Sequence, residues 1–294
     1  MSAIINSVME TYTYLIHDLA DPRTKDWWGV SNPLVIFSIT SAYLYFCKYL
    51  GPRLMKHRKP FELKTVLLLY NLFQVFFSIF LTYEGMVYIF DKRYNYACEP
   101  IDYSNDPRAI RIAGGAWFYY IAKISELLDT VFFVLRKKLN QVSFLHVYHH
   151  TLMVLVIWFG VKYYAGGHIA VMGTLNSFVH VIMYTYYLIS SLGPEYQKYV
   201  WWKKHVTVIQ LVQFGIVFVH NFAVFFYKCD YPRILNVACS LNAVAFLYMF
   251  GKFYIQSYKR SSKSKIGLET QKEPLLKTQI NKYEGKRKTA EKSR

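Results

Sequence analysis

The chain has little acidic charge. Its 294 residues hold 18 Asp and Glu against 35 Lys and Arg, which leaves a formal net charge of +17. Residues 259–294 alone contribute +8, from twelve basic and four acidic side chains. A basic segment beside a membrane interacts with anionic lipid, so we expect membrane lipid, and no nucleic acid, as its partner. This tail is also poor in apolar residues, and we expect it to be a disordered cytoplasmic segment.

The sequence also lacks a cleavable signal peptide. Residues 1–30 carry four acidic side chains and no long uninterrupted apolar core, and we expect them to form a lumenal N-terminal segment. Apolar residues, by contrast, make up 54% of the chain. Crossing a bilayer core takes about 20 of them. Residues 31–258 are therefore predicted to be an all-α membrane domain with seven transmembrane helices, at about 33–50, 64–90, 112–135, 146–165, 168–191, 205–227 and 234–257.

The basic residues between these segments indicate the orientation of the chain. Residues 56–59, 136–138 and 203–204 are basic clusters that follow the first, third and fifth segments. In a seven-span chain they lie on the same side as the tail, and the positive-inside rule makes that side cytoplasmic. The loop 91–111, in which four acidic and four basic residues balance, then lies on the opposite side. The sequence predicts a lumenal N-terminus and a cytoplasmic C-terminus.

Cysteine is scarce, with four residues in the whole chain. Cys98 and Cys229 fall in two loops predicted to be non-cytoplasmic, whereas Cys47 and Cys239 lie inside spans. Disulfides form in the lumen of the endoplasmic reticulum or outside the cell and rarely in the cytosol. We therefore predict a Cys98–Cys229 disulfide, with two free thiols as the alternative.

The third predicted span carries three charged side chains. Lys123, Glu126 and Asp129, followed by Thr130, fall within an arc of roughly 120° on a helix. A charge at the centre of a membrane helix costs about 2.5–3.5 kcal/mol unless it is paired or faces an internal cavity. We expect this face to point inward. For any one residue, the alternative is an interhelical ion pair that only holds the bundle together.

Later spans carry rows of polar residues at helical spacing. The fifth span presents one such face, and the sixth begins with another. At the start of the fourth span, three histidines occur within five residues. These sets are Asn176, His180, Tyr184 and Tyr187; Thr207, Gln210 and Gln213; and His146, His149 and His150.

The three histidines could be metal ligands or could include a nucleophile. Membrane di-iron enzymes use similar clusters, but they need roughly eight histidines from several boxes, and first-shell ligand count is what a metal site must supply. This chain has one box; we interpret the remaining single histidines, other than His180, as background: His17, His57, His168, His205 and His220. We therefore expect no metal, and we interpret the box as the site of an acyl-imidazole intermediate, with Glu126 and Asp129 orienting a ring as an Asp does in hydrolase triads.

Four motifs, in order, resemble those of the animal very-long-chain fatty acid elongases. They are Lys123-x-x-Glu126-x-x-Asp129-Thr130, Gln141-Val-Ser-Phe-Leu-His146-Val-Tyr-His149-His150, Asn176-x-x-x-His180-x-x-Met183-Tyr184-x-Tyr186-Tyr187 and Thr207-x-x-Gln210-x-x-Gln213-Phe214. The resemblance covers about residues 25–260. It implies six helices in a barrel around an acyl-chain tunnel, and an acyltransferase of the endoplasmic reticulum membrane. This 3-oxoacyl-CoA synthase would condense long-chain acyl-CoA with malonyl-CoA, releasing CO₂ and CoA, without a cofactor.

The resemblance also implies roles for individual residues. His149 would take the acyl group from CoA, and His180 would assist decarboxylation or stabilise the enolate. His146, His150, Asp129 and Glu126 would orient the reacting groups. Because the phosphates of CoA favour cationic partners, the candidates for holding CoA are mostly basic: Lys123, Arg136, Lys137, Asn176, Tyr187 and Lys204. Other enzymes of the elongation cycle and a second copy of the chain are further partners to consider.

Two other classes of protein fit part of the pattern. One is the membrane di-iron fatty-acyl oxidoreductase already discussed. The other is a heptahelical receptor or transporter, since seven spans with an external N-terminus also describe these proteins. A receptor does not need Lys, Glu, Asp and four His at one depth, and a transporter places its site near the midplane. The chain ends without a dilysine retrieval signal, so residence in the endoplasmic reticulum rests on the resemblance.

Overall fold

Residues 2–260 are described by a computed structural model, and within them the chain is helical with no β-strand. The ten α-helices are α1 Ser2–Thr13, α2 Pro33–Tyr45, α3 Gly51–Met55, α4 Lys64–Ile89, α5 Pro107–Ser125, α6 Leu127–Leu135, α7 Phe144–Tyr163, α8 Ala170–Leu192, α9 Lys203–Ala223 and α10 Arg233–Tyr254. The expected disordered tail lies, from residue 261 on, outside the described residues. One compact unit extends to Val244, and a second begins at Ala245.

Six helical segments of the described chain are long and apolar enough to cross a membrane. They are Pro33–Met55, Lys64–Ile89, Phe144–Tyr163, Gly167–Leu192, Lys203–Phe226 and Arg233–Tyr258. They correspond to six of the seven predicted spans and indicate a multi-pass membrane protein. The first continues from α2 into α3 through a π-helical turn, Phe46–Leu50.

The predicted third span is not one of these six. The chain forms two helices there, α5 and α6, and the turn between them is at Glu126. The amide of Asp129 bonds to the carbonyl of Glu126 across this turn, at 3.2 Å. The charged residues that marked the segment in the sequence also reduce its mean hydropathy, so it is not recognisable as a continuous apolar span.

The N-terminal segment contains a helix, α1, that the sequence analysis does not predict, followed by a stretch that packs against α5 and α7. Buried Arg23 pairs with Asp21 and donates to the carbonyls of Ala109 and Ala165, at 2.9 and 2.7 Å. The side chain of Thr24 donates to the carbonyl of Val161, at 2.6 Å. These bonds fix the N-terminal end of α5 relative to the C-terminal end of α7.

A disulfide joins Cys98, in the loop after α4, to Cys229, in the loop after α9. These are the two cysteines paired in the sequence analysis. Cys47 and Cys239 are free and buried.

Helices α4 and α8 approach closely, and Gly85 makes the approach possible. A Cβ at this position would overlap Oγ1 of Thr174 on α8. Helix α4 also buries a polar row at spacings of three and four residues: Asn71, Gln74, Ser78 and Thr82. The packing of α4 therefore depends on small and polar contacts as well as apolar ones.

We expect Gly85→Ala to lower the thermal stability of the detergent-solubilised protein. The added methyl must displace Thr174 or the α8 backbone, and overpacking costs about 1–3 kcal/mol, more than the ~0.5–1 kcal/mol that alanine gains over glycine in a helix. Gly114→Ala is the matched control, because a Cβ there meets nothing within 4 Å; it should melt at or above the wild-type temperature. Equal melting temperatures of the two variants would contradict this account of the α4–α8 contact.

Candidate active site

The candidate site is built around Glu126, at the turn between α5 and α6. Its two carboxylate oxygens accept from Nζ of Lys123, at 2.7 and 3.0 Å. Nδ1 of His180 on α8 lies 3.1 Å from Oε1 of the same carboxylate. All three side chains are buried. Because a buried charge must be paired, the three groups depend on one another for their presence in the interior.

Asn176 extends this cluster one helical turn along α8. Its Oδ1 accepts from Nζ of Lys123 at 2.9 Å and from the hydroxyl of Tyr119 at 2.7 Å. Tyr119 is buried on α5. The polar faces predicted on the third and fifth segments therefore lie against each other, and the charged face is buried as expected.

Asp129 lies in a second polar contact between α6 and α8. Its Oδ2 accepts from the hydroxyl of Tyr184, at 2.7 Å. Both carboxylates were predicted to orient an imidazole, but it is Glu126 that contacts a histidine, whereas Asp129 accepts from a tyrosine. One turn of helix separates the two carboxylates, so they reach different residues of α8.

The histidine box occupies the first two turns of α7. Oγ of Ser143 caps the helix by accepting from the amide of His146, at 3.2 Å. Nε2 of His146 lies 2.9 Å from Oγ1 of Thr130, which in turn lies 2.8 Å from the hydroxyl of Tyr43 on α2. The His146 ring is therefore held by a hydrogen-bonded chain that reaches α2.

His149 and His150 occupy different environments in the same turn. His150 is buried, with its ring centroid 4.4 Å from that of His146. His149 is half-buried, with its ring 5.2 Å from His150, and it lies within electrostatic range of Lys123, Glu126 and His180. Of the box histidines, His149 combines nearness to the charged cluster with partial accessibility.

The six candidates for holding CoA divide into two environments. Lys123 and Asn176 are in the buried cluster, and Tyr187 packs against Tyr184 with ring centroids 5.8 Å apart. The remaining cations are at helix ends. Arg136 and Lys137 follow α6, which closes with Lys137 in the left-handed region at φ 55°; Lys204, exposed, is in the first turn of α9.

Three polar residues of the site were missed by the sequence analysis: Tyr43, Tyr70 and Gln74. Nε2 of Gln74 donates to the hydroxyl of Tyr70 at 3.0 Å and to Oγ of Ser125 at 2.9 Å, which connects α4 to the end of α5. The buried polar row of α4 was the available signal. Tyr43 has no such signal, because tyrosine is common in most spans of this chain.

Two histidines interpreted as background form a pair. The rings of His168 and His220 stack with centroids 3.9 Å apart, and each Nε2 lies near the carbonyl oxygen of the other residue, at 3.2 and 3.3 Å. His168 precedes His180 by twelve residues, about 18 Å along a helix. The pair therefore lies far from His180, and its contact was not predicted because it depends on how the start of α8 and the end of α9 pack.

No group of three or more His, Cys, Asp and Glu within residues 2–260 is arranged to hold a metal ion. Nδ1 of His180 is directed to Glu126, and Nε2 of His146 to Thr130. One ring nitrogen of His180 and one of His146 thus contact protein groups.

A cavity of about 350 Å³ adjoins the polar cluster. It lies between α4, α5, α7 and α8, and its lining is mainly apolar. Tyr119 and Ser177 line the end next to Asn176, whereas the remote end carries charged residues, including the ion pair of Arg111 with Glu84 at 2.7 Å. The arrangement places the buried polar cluster of Lys123, Glu126 and His180 next to a cavity that has space for an apolar group.

Comparison with known proteins shows a consistent relationship. Residues 28–266 match the model of the ELO family, described as the GNS1/SUR4 family. The chain is similar to very long chain fatty acid elongase 7 of Drosophila melanogaster, with 46% identity over 87% of this chain and 78% of the relative. It is also similar to very long chain fatty acid elongase 4 of Homo sapiens, with 41% identity over 91% of this chain and 84% of the relative.

We expect Lys123→Met to destabilise the protein strongly, and Lys123→Met combined with Glu126→Gln to be less damaging. Removing one partner of a buried pair costs about 3–5 kcal/mol because the other charge remains uncompensated. Thermal unfolding of the single and double variants measures this coupling. Arg111→Met, which removes a half-exposed cation, is the control and should cost at most about 1 kcal/mol. The single variant Glu126→Gln is measured as well. If the losses of Lys123→Met and Glu126→Gln simply add in the double variant, Lys123 and Glu126 do not stabilise each other.

Proposed function

The chain belongs to the ELO family, and from this membership we propose that it is a membrane enzyme of fatty acid elongation that condenses acyl-CoA with malonyl-CoA. The observation that carries the proposal is the contact of Lys123 and His180 with one buried carboxylate, Glu126, beside the half-buried His149. An apolar cavity adjoins this cluster. A thioester could react at the polar end while its hydrocarbon chain occupies the cavity. No cofactor is required for this chemistry.

In the first step, a ring nitrogen of His149 attacks the thioester carbon of acyl-CoA. A C–N bond forms, the C–S bond breaks, and the thiolate leaves as CoA with the proton that the imidazole gives up. The product is an acyl-imidazole, which splits one difficult transfer into two easier steps. His149 is preferred because, of the box histidines, it is the one that is both partly accessible and within electrostatic range of Lys123, Glu126 and His180.

In the second step, malonyl-CoA loses CO₂ and its α-carbon attacks the acyl carbon. The C–C bond to the carboxylate breaks, a new C–C bond forms, and the imidazole of His149 leaves and takes a proton from water. Glu126 at Nδ1 of His180 orients that ring as the Asp of a triad orients its histidine. Nε2 of His180 then faces the reacting groups, where it supports decarboxylation or the enolate that follows.

We further propose that the chain lies in the endoplasmic reticulum membrane with its N-terminus lumenal and its C-terminus cytoplasmic. In this arrangement α5 and α6 together form the predicted third span, which brings the number of spans to seven. The side chains of Arg136, Lys137 and Lys204 then lie at the cytoplasmic face with the histidine box. The Cys98–Cys229 disulfide then lies in the lumen, where oxidation is favoured. The barrel of six helices stays a prediction of the family resemblance.

We expect acyl-CoA alone to release CoA and to leave an acyl group on the His149 peptide. Mass spectrometry of the purified protein after incubation without malonyl-CoA measures the adduct, and labelled malonyl-CoA measures condensation. His149→Ala should abolish both signals, and His17→Ala, at an exposed position of the N-terminal segment, should retain both. Condensation by the wild type without any acylated histidine would reject the two-step mechanism, and condensation by His149→Ala at the wild-type rate would reject the assignment of His149.

We expect Arg136→Gln, Lys137→Gln and Lys204→Gln each to raise KM for both CoA substrates while kcat changes little. A hydrogen bond to a charged group contributes about 1.5–3 kcal/mol, which corresponds to roughly tenfold or more in KM. Steady-state kinetics at two salt concentrations separates the charge effect. Lys92→Gln, in the loop after α4, is the control. Unchanged KM in all three variants would remove these cations from the CoA site.

A further inference from the structure

Three helical glycines line the cavity although no close contact requires them. They are Gly115 on α5, Gly160 on α7 and Gly173 on α8. A Cβ at Gly160 would meet nothing within 4 Å, and the nearest atom to a Cβ at Gly115 or Gly173 would be 3.9 or 3.8 Å away, an ordinary van der Waals distance. Glycine weakens a helix relative to alanine. What these residues preserve is the empty space of the cavity.

Gly115 and Gly160 lie within the stretches of α5 and α7 that line the cavity, which run from Pro107 to Tyr119 and from Val156 to Val161. Gly160 follows His149 by eleven residues on α7, which is about 16 Å along the helix axis, and Gly115 precedes Lys123 by eight residues on α5, about 12 Å. Each of the two helices therefore carries a residue of the candidate site near one end and a cavity glycine two to three turns away from it. A chain that extends from the site along these two helices reaches both positions.

The end of the cavity beyond these glycines is charged. Arg111 pairs with Glu84, and Arg108 pairs with Glu99 at 2.9 Å. The Cβ of Glu84 is the atom nearest to a side chain at Gly115. Hydrocarbon in contact with these groups would displace their water without replacing its hydrogen bonds, which is unfavourable. The apolar path is therefore bounded by charge, and the two glycines determine how much of it is open.

We propose that Gly115 and Gly160 determine the longest acyl chain that the enzyme accepts. This inference rests on the proposed function, because it assigns the cavity to the hydrocarbon part of acyl-CoA. A larger side chain at either position fills the path before the charged end and excludes the terminal carbons of a long substrate. A shorter chain ends before the obstruction and reacts as in the wild type.

The test compares Gly160→Leu and Gly115→Leu with Gly114→Leu. Gly114 is the neighbour of Gly115 on α5 and also has room for a Cβ, but it does not line the cavity. Each variant is assayed with labelled malonyl-CoA and saturated acyl-CoA of increasing length. The cavity variants should elongate the shortest accepted substrates at near wild-type rates, with a fall of about tenfold or more in the long-to-short rate ratio. Gly114→Leu should keep the wild-type profile.

The outcomes separate this inference from the proposed function. Absence of elongation by the wild type at every chain length overturns the proposed function. Wild-type elongation together with an unchanged length profile in both cavity variants overturns the role of the glycines and leaves the condensation intact. If the leucine variants are inactive throughout, Gly160→Ala and Gly115→Ala replace them, because each adds a methyl group in open space. A profile in the alanine variants that matches the wild type then overturns the inference, and a shift to shorter products supports it.

Discussion

The buried ion pair of Lys123 and Glu126 is the interaction on which the site depends. Neither charge is stable alone in an apolar environment, and the carboxylate also contacts His180 while the ammonium contacts Asn176. The turn after α5 is therefore tied to two successive turns of α8. This fixes the depth at which α8 presents its histidine, so the position of the His180 ring follows from the pairing of these two charges.

The four site histidines are distinguished by what holds them. Glu126 fixes the Nδ1 side of His180, and Thr130, supported by Tyr43, holds Nε2 of His146. Such hydrogen bonds decide which nitrogen carries the proton and which can act on a substrate. The hydrogen bonds of His146 and His180 provide the fixed geometry that the proposed reaction at the half-buried His149 needs.

The sequence allowed the charged part of the site to be predicted better than its neutral part. Lys123 and Glu126 in an apolar segment have few stable arrangements, so an inward, paired face follows from energetics alone. Tyr43 and the pair of His168 with His220 depend on side-chain packing between helices, which leaves no periodic signal in one chain. The turn at Glu126 was also missed, because a row of charges on one helix face is compatible with a straight helix.

The cavity and the polar cluster are formed by the same helices. Because a helix is rigid, side chains that line the cavity can change without moving the residues of the cluster. Helix α7 carries His149 in its second turn and Gly160 near its other end, and the N-terminal segment holds that other end through Thr24 and Val161. A change of side-chain volume at Gly160 alters the space available to hydrocarbon while the backbone bonds that position His149 stay in place. Under the proposed function, chain-length preference can therefore change by substitution in the cavity without rebuilding the ion pair that positions the site.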